Sequence, residues 1–299
     1  MMHQTGPAAL SPSEAPAPDA ATPVTPAVTP AAAPGAAVAA ICVLIPVWKD
    51  QAGLDRTLET LARDPLPFDI VVVDDGSPVP VTCPDRAGSH PVMLRRLPEN
   101  RGIEHALNAG LELILERGHA YVARLDCGDI PLEGRLARQA DYLDAHPDVG
   151  ILGTWARCVD EDGAYLFTLR LPADHDGIMR RQRYTAGLLH PTVMIRADAL
   201  RASGLYSDRY KTAEDCDLFF RVGRHYRLAN IPEPLTEYII SPAGTTTRRR
   251  RRTLVSRLRL QRDNFTWSDP HAWLGIGQTL IFLVVPFGWI VAVKQRLWR

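Results

Sequence analysis

The chain has 299 residues, 46% of them apolar, and its 34 basic and 34 acidic side chains give a formal charge of zero. This composition supports one ordinary catalytic domain with appendages, and the zero charge argues against a protein drawn to nucleic acid or to an anionic membrane by its overall field. The five cysteines include no C-x-x-C pair, which argues against a structural zinc site or a disulfide framework and favours reduced thiols in the cytosol.

The first 40 residues are mostly Ala, Pro, Thr and Ser. Such a segment cannot bury enough apolar surface to offset the entropy of ordering it, so residues 1–40 are predicted to form a disordered tail. The folded domain is predicted to span residues 41–240. A basic connecting segment at 241–271 and an apolar segment at 272–299 follow it.

Three segments with apolar cores, at 41–45, 69–73 and 121–125, are predicted to be buried strands. Leucine and isoleucine residues at helical spacing between them predict helices at 53–63 and 103–117. Strands and helices that alternate in this way are typical of an α/β fold with a mostly parallel sheet covered on both faces. In such sheets, ligands bind beyond the carboxyl ends of the strands.

The pattern changes after about residue 150, where short strand-like pieces and turns replace the long apolar runs. A helix carrying Leu132, Leu136 and Leu143 is predicted before this change, and helical pieces are predicted at 196–203 and 213–225 after it. We therefore expect an α+β half that covers the cleft formed by the first half.

The first polar cluster, Asp74-Asp75-Gly76-Ser77, directly follows a predicted strand. Carboxylates at a strand end can accept hydrogen bonds from a nucleobase or from ribose hydroxyls, and the glycine lets the backbone turn close to a ligand. The alternative is a solvated turn, because aspartate and glycine are both common in turns.

The second cluster, Asp126-Cys127-Gly128-Asp129, also follows a predicted strand. Two nearby carboxylates favour a hard divalent cation such as Mg²⁺ or Mn²⁺, which could bridge a diphosphate and offset charge on a leaving nucleoside diphosphate. The alternative is a capped turn before the next helix, since aspartate is a preferred helix cap.

The third cluster is Glu214-Asp215, followed by Asp217, at the start of a predicted helix. A carboxylate here could be a general base that removes a proton from a substrate hydroxyl. The alternative is an acid that interacts only with the helix dipole.

Together and in this order, the clusters resemble the family 2 glycosyltransferases of the GT-A fold, from Ile41 to about Arg262. The matching segments are Ile45-Pro-Val-Trp48, Val71-Val-Val-Asp-Asp-Gly-Ser77, Asn100-Arg-Gly102, Arg124-Leu-Asp-Cys-Gly-Asp-Ile130, Arg135 and Leu136 with Gln139, His190-Pro-Thr192, Ala213-Glu-Asp-Cys-Asp-Leu218 and Arg221. The resemblance implies a Rossmann-like, mostly parallel sheet flanked by helices, an α+β acceptor half, and transfer of a sugar from a nucleotide-sugar donor.

The resemblance also implies individual roles. Asp75 would read the nucleobase, the 126–129 segment would hold a metal and the ribose-diphosphate, and Asp215 would be the catalytic base of one in-line, inverting displacement. The implied substrate-binding residues are Pro46, Asp74, Asp75, Asn100, Arg101, Asp126, His190 and Glu214, and the implied metal ligands are Asp126 and Asp129. For His190, a packed and hydrogen-bonded core histidine is an equal alternative.

Two features set this chain apart from relatives. Gly128 stands where relatives often have the third residue of D-x-D-D, so Asp126 or Asp129 would have to hold the Mg²⁺ or Mn²⁺, with water completing its coordination. No Gln-x-x-Arg-Trp follows the Glu214-Asp215 pair, unlike in processive synthases. This absence predicts transfer of a single sugar.

Residues 272–293 carry no charge, and as a helix they would extend roughly 33 Å, about one hydrocarbon core. Five arginines, Arg248 to Arg252, precede them. We predict membrane attachment through this end, on the cytoplasmic face of the inner or plasma membrane, and no nucleic-acid partner. The alternative is an apolar helix buried at an oligomer interface.

The predicted enzyme is a hexosyltransferase-type, non-processive glycosyltransferase acting on a lipid-linked, lipopolysaccharide or exopolysaccharide acceptor. One alternative is a sugar-nucleotidyltransferase, which should carry a glycine-rich, basic loop after its first strand, whereas residues 46–50 here contain no glycine. A non-catalytic membrane scaffold on the same fold is the other alternative.

Overall fold

The computed structural model of the protein describes residues 39–240 and 250–285. Within these residues the chain forms one ten-stranded mixed sheet. The strands are β1 (Ile41–Val47), β2 (Asp69–Asp74), β3 (Arg86–Ala87), β4 (His90–Arg96), β5 (Tyr121–Arg124), β6 (Ile130–Pro131), β7 (Val149–Val159), β8 (Tyr165–Leu169), β9 (Met194–Arg196) and β10 (Arg227–Ile239).

Helices flank this sheet. They are α1 (Gln51–Leu61), α2 (Ile103–Arg117), α3 (Arg135–Ala145), α4 (His175–Gln182), α5 (Ala197–Ser203), α6 (Glu214–Val222), α7 (Arg250–Asp263) and α8 (Pro270–Val284), with short 3₁₀ turns at His190–Thr192 and Asp208–Tyr210. The predicted strands at 41–45, 69–73 and 121–125 are confirmed as β1, β2 and β5, and the helix predicted at 103–117 coincides with α2.

The sheet order is β3-β4-β2-β1-β5-β9-β7-β10-β6, and β8 pairs with β7 outside this path. Strands β4, β2, β1 and β5 are parallel neighbours. Strand β9 is antiparallel to both β5 and β7, so it joins this first half to the second half of the sheet. The predicted mostly parallel α/β sheet is confirmed, with β9 as an antiparallel insertion.

Side-chain alternation along β1 supplies both faces of the core. Val43 packs in a cluster with Leu54 of α1, while its neighbour Leu44 packs with Leu107 of α2 on the opposite face. Helices α1 and α3 cover the first face, and α2, α5 and α6 cover the second. Burial on both faces explains why the strand reads as a continuous apolar run instead of an alternating one.

The helix predicted to include Leu132 starts later, at Arg135. Gly134 precedes it with a φ of 74°, a left-handed conformation that favours glycine. The Leu132 N–H donates to the Leu235 carbonyl of β10 at 3.0 Å, so this residue is held by the sheet. The prediction was wrong here because the helical leucine spacing extends one turn beyond the helix.

Strand β10 lies between β7 and β6 and pairs in parallel with β7 from Val149 to Val159. The register shifts on either side of Pro234. Proline lacks the N–H that a ladder needs, so bulges are the positions at which a strand inside a sheet tolerates it.

Helices α7 and α8 pack against each other after the sheet. Thr279 Oγ1 donates to Gln261 Oε1 at 2.9 Å. No helix within 39–240 and 250–285 combines the length and the apolar character needed to cross a membrane. Residues 286–299 of the predicted apolar segment, 241–249 of the basic segment and 1–38 of the predicted tail lie outside the described residues.

Candidate active site

The carboxyl ends of β1, β2 and β5 lie side by side because these strands are parallel neighbours. Segment 126–129, which follows β5, forms one wall of a cavity of about 500 Å³. Asp50, Arg56, Glu161, Tyr238 and Ile239 complete the lining. The cavity therefore lies at the edge of the sheet where the sequence predicts ligands to bind.

Asp75 contacts the loop that precedes α2. Asn100 Nδ2 donates to its carboxylate at 2.9 Å, and two successive backbone N–H groups, starting with Arg101, donate at 3.0 and 3.2 Å. Gly76 permits this approach, because a Cβ there would lie 2.2 Å from the carbonyl carbon of Glu99. Burial raises the pKa of Asp75, and the backbone donors oppose that shift. Three predicted substrate-binding residues thus meet in one place.

Asp74 is fully buried and hydrogen-bonded within the protein. Its carboxylate accepts from the backbone N–H groups of Ser77 at 2.9 Å and Val81 at 3.3 Å. Arg96 forms an ion pair with it at 3.1 Å. These bonds fix the loop that carries Asp75, so Asp74 supports its neighbour, and a direct contact with substrate stays a prediction.

Arg124 ends β5 with a buried guanidinium group, only 1% of the residue being exposed. Its Nη2 donates to Asp126 Oδ1 at 2.5 Å, whereas Nε and Nη1 have no hydrogen-bond partner in the described parts of the chain. The Arg124 carbonyl accepts from Arg135 Nη2 at 2.7 Å. Desolvation lowers the pKa of Arg135 to about 9. A concentrated positive charge therefore lies directly behind Asp126.

Asp129 is 4% exposed and lines the cavity. Its Oδ1 accepts from the Ile239 N–H at 3.1 Å, while no residue in 39–240 or 250–285 hydrogen-bonds to its Oδ2. Burial, reinforced by repulsion from Asp126, raises the pKa of Asp129 to about 8. The unpaired oxygen is the position at which a cation or a proton would be most strongly held.

A divalent cation in this cavity would need oxygen ligands from the protein. Among residues 39–240 and 250–285, no group of three or more His, Cys, Asp or Glu side chains could hold a metal ion. The donors that are present, Asp126 and the unpaired Oδ2 of Asp129, fit a cation such as Mg²⁺, which keeps several waters and needs few protein carboxylates when phosphates supply the rest.

Glu214 and Asp215 form the first turn of α6, as predicted. Glu214 is buried, and its Oε2 has no hydrogen-bond partner within the described ranges. Burial first, and then the charge of Asp215, raise the pKa of Glu214 to about 8, while burial also raises the pKa of Asp215. Carboxyls with raised pKa values are suited to accept a proton near neutral pH.

His190 lies in the core beside α6. Its Nε2 is 2.7 Å from the Tyr206 hydroxyl, and burial together with the charge of Arg124 lowers its pKa well below the usual range. His190 is therefore neutral, as the packed-histidine alternative expects. The same Arg124 charge opposes the raised pKa values of Glu214 and Asp215, so the guanidinium is close enough to the start of α6 to interact with both acids electrostatically.

Pro46 and Arg101 occupy different environments. Pro46 is buried within β1, opposite Val73, so it could affect a ligand only through the shape of the strand end. The Arg101 side chain is exposed beside the Asp75 loop. The substrate-binding roles of both residues stay predictions.

Sequence reasoning missed five residues that line the cavity: Asp50, Arg56, Glu161, Tyr238 and Ile239. Asp50 and Arg56 belong to the start of α1, directly after β1, and their position after a parallel strand was the available signal. Tyr238 had no such signal, because β10 reaches the cavity only through its place in the sheet.

The comparisons with known proteins agree with this geometry. The family model described as Glycosyl transferase family 2 matches residues 42–204. The amylovoran biosynthesis glycosyltransferase AmsE of Erwinia amylovora is 32% identical over 200 residues, which cover 64% of this chain and 73% of that protein. A pre-mycofactocin glycosyltransferase of Mycobacterium tuberculosis is 28% identical over 191 residues, 61% of this chain and 38% of that protein.

Two solved structures share the fold at 16% sequence identity. S. aureus TarS in complex with UDP-GlcNAc has a TM-score of 0.60, over 81% of this chain and 72% of that one. The mannosyltransferase PcManGT from Pyrobaculum calidifontis, in complex with GDP-Man and Mn²⁺, has a TM-score of 0.55, over 87% and 81%. The family match spans more than half of the chain and a relative shares 32% identity, so this protein is a glycosyltransferase that belongs to glycosyl transferase family 2.

Proposed function

We propose that this glycosyltransferase moves one sugar from a nucleoside diphosphate donor to a hydroxyl of a glycan or lipid-linked acceptor, with inversion at the anomeric carbon. The observation that carries the proposal is the arrangement around Arg124. Its guanidinium donates to Asp126 of the cavity wall, and its charge also acts on Glu214 and Asp215, whose pKa values are raised. Donor and proton acceptor would thus meet at a buried positive charge.

We assign the donor to the carboxyl edge of the sheet, where Asp75 and the cavity lie. Asp75 and Asn100 would bind the nucleoside, and the diphosphate would reach Asp126. The complexes of TarS with UDP-GlcNAc and of PcManGT with GDP-Man support a nucleotide-sugar of this class. A divalent cation, held by Asp126 and Asp129, would supply charge neutralisation for the leaving diphosphate.

The transfer step is a single displacement. The acceptor oxygen attacks the anomeric carbon, the bond from that carbon to the diphosphate oxygen breaks, and the acceptor proton passes to the carboxylate of Asp215. Glu214 lies beside it, and the charge of Asp215 raises the pKa of Glu214 by like-charge repulsion, whereas burial raises the pKa of Asp215 itself. Arg124 holds Asp126 at the cavity wall and balances the negative charge of these acids.

A glycan acceptor is supported by the similarity to AmsE, a glycosyltransferase of amylovoran biosynthesis. The absence of a Gln-x-x-Arg-Trp motif after Glu214-Asp215 supports transfer of a single sugar to each acceptor. The sugar-nucleotidyltransferase alternative is weakened, because residues 46–50 form the end of β1 and the cap of α1 without a glycine-rich loop.

A donor screen tests the proposal. The full chain is incubated with UDP-, GDP- and dTDP-sugars, with and without Mn²⁺, and nucleotide binding and released nucleoside diphosphate are measured. We expect one nucleotide class to bind and turn over, and EDTA to reduce that turnover. If no nucleotide-sugar binds and none is consumed, the proposed function is wrong. If EDTA does not reduce the activity, only the proposed requirement for a divalent cation is wrong.

We also propose that the α7–α8 end binds the anionic, cytoplasmic face of a membrane. Helix α8 and the residues before it expose a set of large apolar side chains: Trp267, Trp273, Leu274, Leu280, Ile281 and Val284. Arg251 and Arg252 of α7 are exposed as well. Exposed tryptophans and aliphatic side chains next to basic residues suit the interface of an anionic bilayer.

Vesicle binding tests the membrane proposal. The double variant Leu280→Ser and Ile281→Ser is expected to bind phosphatidylglycerol–phosphatidylcholine vesicles at least about tenfold more weakly, since each buried aliphatic side chain contributes about 1.5–3 kcal/mol. Leu166→Ser, which removes an exposed leucine of β8, is the matched control. Equal binding of the double variant contradicts the proposal. If that variant instead dissociates an oligomer, the patch is an interface between copies.

A further inference from the structure

Gly128 lacks a carboxylate, and the backbone conformation of its loop also favours glycine at this position. Its φ is 98°, a left-handed conformation in which an aspartate side chain would be strained. Thr57 of α1 fixes this geometry, because its Oγ1 accepts from the Gly128 N–H at 3.0 Å and donates to the Asp129 carbonyl at 3.2 Å. The loop is thus held by α1 in a shape that excludes the usual third carboxylate.

The same helix presents a carboxylate to the vacated position. Asp50 caps α1, with Oδ1 accepting from the Gly53 N–H at 2.8 Å. Its other oxygen, Oδ2, lies 3.8 Å from the point that a Cβ of residue 128 would occupy. The carboxylate of an aspartate at residue 128 would lie closer to its own Cβ than this distance, so Asp50 Oδ2 lies near the region that such a carboxylate could occupy.

Gly53 keeps the Asp50 carboxylate in place. A Cβ at residue 53 would lie 2.1 Å from Asp50 Oδ2, so any larger residue would displace this oxygen. Glycine in the first turn of a helix loses more conformational entropy than alanine. Its presence here is explained by the room that it leaves for Asp50.

A second observation points to a ligand in this cavity. Asp129 is buried and lines the same space as Asp50, and its Oδ2 has no hydrogen-bond partner among the residues that the structure describes. The thiol of Cys127 contacts Asp50 Oδ2 at 3.7 Å. A thiol is a weak hydrogen-bond donor, which leaves Asp50 Oδ2 able to accept a stronger interaction.

We infer that Asp50 replaces the carboxylate missing at Gly128 and helps to hold, through bound water, the divalent cation that accompanies the donor diphosphate. The inference rests on the proposed function, because it needs a nucleoside diphosphate in the cavity. It extends the metal site beyond the 126–129 segment to the cap of α1.

Manganese binding tests this inference without relying on turnover. The full chain, saturated with whichever of UDP, GDP or dTDP binds, is titrated with Mn²⁺, and free Mn²⁺ is read by electron paramagnetic resonance. Asp50→Asn retains the helix cap, because asparagine caps as well as aspartate. We expect its Kd for Mn²⁺ to rise by about 10–100-fold, the range seen when a supporting ligand is lost.

Two further variants sharpen the test. Asp55→Asn removes an exposed charge of the same helix and is expected to leave the Kd unchanged. Gly53→Ala displaces the Asp50 carboxylate without changing charge and is expected to weaken Mn²⁺ binding. An Asp50→Asn variant with the wild-type Kd overturns the inference, as does nucleotide binding by the wild type that Mn²⁺ does not alter. A chain that binds none of the three nucleotides overturns the proposed function itself.

Discussion

Asp215→Asn is expected to lower the rate of sugar transfer by about 10²–10⁴-fold, the contribution that a positioned general base makes. The Asp215 Oδ1 accepts from the Cys216 N–H at 2.7 Å, and the amide oxygen of asparagine can retain that bond. We therefore expect the melting temperature and the donor affinity to stay near the wild-type values. The loss should appear in single-turnover product formation at saturating donor.

Asp198→Asn, which removes an exposed acid from the first turn of α5, is the matched control and should keep full activity. An Asp215→Asn enzyme with more than half of the wild-type rate would show that the base lies elsewhere. Glu214→Gln would then be the next variant to assay.

The pH profile gives this first prediction a second readout. Burial and the charge of Asp215 raise the pKa of Glu214 to about 8, and burial raises that of Asp215. A carboxyl is protonated below its pKa and cannot accept a proton, so the rate should rise with pH and level off only above the raised pKa of the base, at a higher pH than for an ordinary aspartate. A rate that stays constant down to pH 5 would contradict a base in this acidic pair.

Asp74→Ala is expected to lower the free energy of unfolding by about 3 kcal/mol. The substitution leaves the buried N–H groups of Ser77 and Val81 without an acceptor, at about 1–3 kcal/mol for each unsatisfied group, and removes the ion-pair partner of Arg96. At two to four degrees per kcal/mol for domains of 150–250 residues, the melting temperature should fall by roughly 6–12 °C.

Urea denaturation and calorimetry measure this effect. Asp85→Ala removes an exposed aspartate from the same region and should leave stability unchanged. If Asp74→Ala keeps wild-type stability but loses nucleotide binding, then Asp74 contacts the substrate directly, as the sequence resemblance implies. Loss of stability with donor affinity retained at low temperature would assign Asp74 to the support of the loop.

The elements that sequence predicts best are those whose signal is local. Strands β1, β2 and β5 have apolar cores because both faces are buried, and a polar cluster follows both β2 and β5. The order of these clusters indicated the edge of the sheet that carries the site. The α+β half was recognisable by its change of pattern, but its strand order depends on pairings between distant segments.

Local sequence patterns do not reveal which residues that are far apart in the chain contact each other. Asp74 and Asp75 are adjacent and chemically identical, yet Arg96 and the Val81 N–H hold the first inward, while the 100–102 loop binds the second. The approach of Asp50 to Gly128 likewise joins residues that are far apart in the chain. Spacing and periodicity give no information on such pairs.

The position of β10 bears on how the protein can be divided. The family match ends at residue 204, but β10 pairs along the far side of β7 from Val149 to Val159. A fragment that stopped at 204 would leave this side of β7 as a long edge with unpaired N–H and carbonyl groups, which is a template for intermolecular strand pairing. Such a fragment should aggregate or exchange strands. The smallest soluble unit should therefore extend through Ile239.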